Sequence, residues 1–110
     1  MARTNNSKGT KKNGVNLPKD VRALVEEHVI TLIGKVTKIY RENDKCVAFG
    51  IELYNITTKG NIARAWVNAV SFEDIEIEEN AYYTFDGYVS SQNYKDKWSN
   101  NFVVNSVEAL

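Results

Sequence analysis

Apolar and polar residues alternate through most of this chain with the two-residue period of β-strands. The run from Arg64 to Phe72 is the cleanest case. Ala65, Val67 and Ala69 point to one side, and Arg64, Trp66 and Asn68 to the other. Before it, Val29 to Tyr40 is long and β-branched and predicts a first strand, with Gly34 marking a bend. Val47 to Tyr54 predicts a second strand, with Val47, Phe49, Ile51 and Leu53 on one face. Ile62 to Phe72 is the third, Ala81 to Ser91 the fourth and Asn101 to Leu110 the fifth. Arg41 to Lys45, Thr57 to Asn61 and Asn93 to Asn100 read as polar turns, and Glu73 to Asn80 as an acidic, solvated connection. Tyr83 and Phe85 are assigned to the core, and Tyr82 and Tyr88 to the outer face of the fourth strand. One segment breaks the pattern. Leu17, Val21, Leu24 and Val25 recur at helical spacing after Pro18, predicting a short amphipathic helix over about 17–27. Five strands without long helices predict an all-β fold, a small antiparallel barrel whose second and third strands, and fourth and fifth, form hairpins.

Composition adds an asymmetry. The 110 residues carry no net charge, yet residues 1–19 hold Arg3, Lys8, Lys11, Lys12 and Lys19 and no acid. The remainder holds nine basic and fourteen acidic groups. Residues 1–16 read as a disordered basic arm and 17–110 as the folded domain. A basic arm on a mildly acidic body suits a nucleic-acid binder, and it equally suits a solubilising tail. The single cysteine, Cys46, excludes an internal disulfide. No apolar run predicts a membrane span or a secretory signal, so a cytoplasmic protein is expected. The glycosylation-type triplets at Asn5 and Asn55 are taken as chance matches.

Candidate chemistry lies with the aromatics. Trp66 between a cation and an amide makes a poor core and a good stacking surface for a base beside a phosphate. Stacking candidates are Trp66, Tyr94, Phe72 and Trp98; phosphate candidates are Arg64, Lys35, Lys38, Lys59, Lys95 and Lys97, with Asn68 available to a base edge. Each has a structural reading as well. Trp66 could pack the barrel, Phe72 could turn inward, Tyr94 could be a plain exposed tyrosine, and Trp98 could meet a protein partner.

Taken in order, these landmarks resemble the bacterial and phage single-stranded DNA-binding proteins. They are Ile30 to Val36 opening the barrel, Trp66 six residues before Phe72, Phe85-Asp86-Gly87-Tyr88-Val89, Tyr94 seven residues past Gly87, and Phe102-Val103-Val104. The likeness covers roughly residues 29–110 and rests on order and spacing, not on a single motif. It implies a five-stranded OB-fold barrel. It also implies sequence-nonspecific coating of single strands in replication or recombination, and a homo-oligomer. Trp66 and Phe72 would be the third-strand stacking positions and Tyr94 the hairpin position. Where the family carries another aromatic, Lys59 stands here, leaving that contact to Tyr54 and Lys59. The connection over 73–80 is too short for the family's helix, so the helix over 17–27 is expected to cover the barrel end. The chain stops without the family's acidic tail, so recruitment of partners by that route is not expected.

No cofactor and no enzymatic activity are expected. His28 stands alone, no zinc set or phosphate loop is present, and Asp44, Glu52 and Asp86 are only scattered acids. The alternative is an OB-fold interaction subunit of a replication or recombination complex with weak or no DNA binding; an RNA-binding module is a second.

Overall fold

The computed structural model describes residues 15–110. Chain order is α1 (Lys19–Glu27), β1 (Ile30–Glu42), β2 (Val47–Ile56), β3 (Ile62–Ser71), β4 (Tyr82–Tyr94) and β5 (Lys97–Ala109). The basic arm of residues 1–14 lies outside the described part. Among the described residues, no helix is long and apolar enough to cross a membrane.

The strands close into a barrel in the order β1-β2-β3-β5-β4, with β4 returning to β1. All pairs are antiparallel except β3 and β5, which meet in parallel at Ala69–Phe102 and Val70–Val103. A five-stranded Greek-key barrel in this order is the OB-fold. Gly34 sits where β1 changes partners. It pairs with Leu53 of β2 on one side and Tyr83 of β4 on the other. A Cβ there would fall 2.5 Å from the Glu52 carbonyl oxygen, so only glycine lets β2 approach at this bend.

The inward rows supply the core. Val36, Phe49, Ile51, Phe85, Phe102 and Val104 are fully buried, and Phe85 lies 6.1 Å from Phe49 and 5.8 Å from Tyr83 by ring centroids. Ser71 is buried where β3 meets β5. Its hydroxyl donates to the Val104 carbonyl at 2.7 Å, which removes the cost of an unpaired polar group.

Three expectations change. The helix forms as predicted, but it does not cover the barrel end. None of its residues is buried, and none packs against the core. The connection after β3 does that work without a helix. Ile75 and Ile77 pack on the core, the Glu78 N–H donates to the Tyr83 hydroxyl at 2.8 Å, and Asn80 and Ala81 hydrogen-bond Val36. This acidic segment is therefore not simply solvated: the Glu79 carboxylate accepts the Ile39 N–H at 2.8 Å. Finally, the polar stretch over 93–100 is mostly strand. The β4–β5 ladder runs to Tyr94–Lys97, and the turn is only Lys95 and Asp96, both at positive φ. Two left-handed central residues match the twist of a tight hairpin, so polar side chains do not force an open loop.

Candidate nucleic-acid interface

The solvent-facing side of β1, β2 and β3 gathers half of the predicted residues: Trp66, Arg64, Lys35, Lys38, Tyr54 and Asn68. Register places Tyr82, Lys35, Glu52 and Trp66 in one row across β4, β1, β2 and β3, with Arg64 opposite Tyr54 in the next. The row spans three strand spacings, about 14 Å. Trp66 is 66% exposed, and the Arg64 guanidinium lies 5.6 Å from its ring centroid. A cation over the indole holds the ring in place while much of its surface stays open. Asn68 is exposed two residues along, opposite Gly50.

Lys38 reaches this face through a bulge. Lys35 and Lys38 are three apart, so in a regular strand they would point to opposite sides. The register of β1 on β2 shifts between Val36 and Lys38, leaving Thr37 as the extra residue and turning Lys38 outward opposite Gly50. A second shift, between Ile39 and Arg41, leaves Tyr40 as the extra residue. The Tyr40 hydroxyl would meet a Cβ on Gly50 at 3.1 Å, and Lys38 Nζ stands 5.9 Å from the Tyr40 ring centroid. Tyr82 has the outer-face position expected of it, whereas Tyr40 was not expected here. For Tyr40 the available signal was Gly50, a glycine inside a strand, which marks close approach of another group.

Glu52 is the unexpected centre of the face. Its residue is only 8% exposed, although it has the outward phase of β2. The carboxylate accepts the Tyr54 hydroxyl at 2.6 Å and stands 3.8 Å from Lys35 Nζ and 3.5 Å from Arg64 Nη1. The Tyr54 ring stacks obliquely on Tyr82, centroids 6.2 Å apart. Donation to Glu52 pushes the Tyr54 phenol up to about 12, with burial and the carboxylate's charge adding to the shift. Arg41, opposite Ala48 on the same outward row of β2, joins Lys35, Lys38 and Arg64, so against Glu52 this face carries a surplus of three positive charges.

The hairpin residues divide between two sides. Tyr94 pairs with Lys97, and Asn93 with Trp98, so Tyr94 and Trp98 face opposite ways. Trp98 shares its side with Asn100 and Phe102, and those two line an apolar cleft of about 490 Å³ with Ile30, Leu53, Val67 and Trp66. The hairpin side that continues toward Trp66 is thus that of Trp98. Tyr94 carries Lys95 Nζ 5.3 Å from its ring centroid on the other side. Lys59 is exposed at the β2–β3 turn, beyond the end of the barrel.

Phe72 stands apart. It is 61% exposed, so it has not turned into the core. It lines a depression with Glu42, Asp44, Glu73 and Asp74, where Lys45 is the only cation among the described residues. Six residues along a strand place it about 20 Å from Trp66. Among the described residues no cluster of three or more His, Cys, Asp or Glu side chains could hold a metal.

No family model and no curated protein matches the chain. Among solved structures it is similar to the dimeric N-terminal domain of PriB protein from Thermoanaerobacter tencongensis. The two are 17% identical with a TM-score of 0.48, over 74% of this chain and 94% of that one. A likeness at this level transfers no function.

Proposed function

We propose that this chain binds single-stranded nucleic acid, DNA first, without strong sequence preference. The carrying observation is the outer face of β1–β3, where Trp66, Tyr54, Tyr82 and Tyr40 share one surface with Lys35, Lys38 and Arg64. Single-strand binding needs π-faces for bases and cations to replace the counterions of phosphates, and this surface has both. Binding, not catalysis, is the activity. The setting is a cell's replication or recombination machinery, in the cytoplasm, with the chain acting as an oligomer of phage, mobile-element or bacterial origin. Lys59 and Trp98 extend the path at the β2–β3 turn and along the hairpin, while Tyr94, Lys95 and Lys97 lie on the hairpin's other side, where they would meet a strand that wraps around it. Phe72 takes no part, because the acids around it repel phosphate.

A second reading keeps the barrel and replaces the strand with a protein, making the chain an interaction subunit of such a complex. The buried Glu52 favours it, since a carboxylate in the centre of a face is unusual where polyanions dock.

Titration with poly-dT while following tryptophan emission separates the two. The Trp98→Phe background reports Trp66 alone. Quenching that weakens with added salt supports strand binding, and Trp66→Ala should lower affinity by about 1–3 kcal/mol with no change in fold. Absence of binding at low salt leaves the interaction subunit. Matched RNA oligomers decide between the sugars.

A further inference from the structure

We infer that Glu52 is a phosphate competitor built into the binding face. It holds Arg64 and Lys35 when the face is empty and yields them to the phosphates of an arriving strand. The inference rests on the single-strand reading and deepens it by naming what sets affinity at that site.

The geometry is asymmetric in a way that a purely structural ion pair would not need. The Glu52 side chain is 10% exposed, while that of Arg64 is 60% exposed. The anion is fixed and the cation can leave. Glu52 is fixed because the Tyr54 hydroxyl donates to Oε1 at 2.6 Å, a short charge-assisted bond. Its cations are held loosely: 3.5 Å to Arg64 Nη1 and 3.8 Å to Lys35 Nζ exceed the roughly 2.7–2.9 Å of a strong charged hydrogen bond. Arg64 therefore keeps most of its five N–H donors for another oxyanion. An exposed aromatic surface, Trp66, sits opposite Glu52 in register and under the same guanidinium. A phosphate that drew Arg64 away from Glu52 would bring a neighbouring base within reach of the indole. The fixed negative charge also orients the strand. Phosphates follow the flanking cations, and bases cross the centre of the face.

Glu52→Gln tests this with little structural disturbance, because the amide oxygen still accepts from Tyr54. The variant should bind poly-dT roughly three- to tenfold more tightly, the scale of losing one or two competing, partly exposed ion pairs. The gain should vanish when Arg64→Gln and Lys35→Gln are added. Equal or weaker binding by a folded Glu52→Gln protein overturns the inference. A readout on the wild-type chain covers the case in which the variant does not fold. The Arg64 side-chain Nε resonance should shift on adding an oligo-dT, and a resonance that stays still overturns the inference as well. Wild-type protein that binds no poly-dT at low salt removes the single-strand reading itself. Wild-type binding with an unchanged Glu52→Gln removes only the role of Glu52.

Discussion

Trp66 and Glu52 face each other across one rung of the sheet, and they show how differently single residues are written into a sequence. Trp66 was legible because a period of two assigns every residue of β3 to a face, and Val67 and Ala69 fix which face turns inward, although Ala65 at the start of that row is exposed. Glu52 has the same clear outward phase, yet its burial comes from neighbours on three strands, which no local pattern encodes. Tyr54 carries a measurable consequence. Its phenol is held up at about 12 by the Glu52 carboxylate. Below about pH 10 both the folded and unfolded chains keep the proton, so the contribution to stability is intact. Between about 10 and 12 the unfolded chain ionises first, and that stability is lost as pH rises. Absorbance titration of phenolate should show one tyrosine ionising near 12 that disappears in Tyr54→Phe. In Glu52→Gln that ionisation should move down toward the ordinary range.

At the level of elements, the strands and hairpins were largely readable and the connections were not. Alternating apolar rows specify strands wherever one face is buried. The stretch over 93–100 has no buried face, so it reads as a turn, although its backbone pairs fully across the hairpin. The helix shows the converse. Its apolar stripe, Val21, Leu24 and Val25, was correct, but a stripe does not name its partner. Ile75 and Ile77 occupy the place that α1 was expected to fill. Truncating the chain to residues 29–110 should therefore leave the melting temperature within a few degrees of the full chain. A ΔΔG of about 1 kcal/mol shifts a domain of this size by roughly 4–8 °C, so calorimetry resolves the difference. A larger fall would mean that the removed segment holds the barrel together.

At the scale of the whole molecule, charge among the described residues is divided by end and by face. Glu42, Asp44, Glu73 and Asp74 surround Phe72 at one end, and the cations collect on the β1–β3 face and along the hairpin. This division predicts a shallow salt dependence of strand binding. Lys35, Lys38 and Arg64 alone imply a slope of about −2 for a single strand, and adding Lys59, Lys95 and Lys97 brings it to about −4. Measuring the slope for the wild type and for Lys95→Gln/Lys97→Gln shows whether the hairpin joins the path. A slope near −4 that becomes shallower by about 1.4 in the double variant places it there. An unchanged slope confines binding to the sheet.

Read alone, the chain determined its strands, its bend at Gly34, its core rows and the outward phase of Trp66. These follow from a two-residue period and from side-chain size, which act between near neighbours. Only the closed barrel decided the composition of the face. The bulge at Thr37 turned Lys38 to the side of Lys35, and the hairpin register put Trp98 on the side that runs toward Trp66 and Tyr94 on the other. Three strands crowded Glu52 beneath Arg64, Lys35 and Tyr54. Each of these depends on which residues of distant strands lie opposite one another. That pairing is set by closure of the sheet, and no spacing along the sequence contains it.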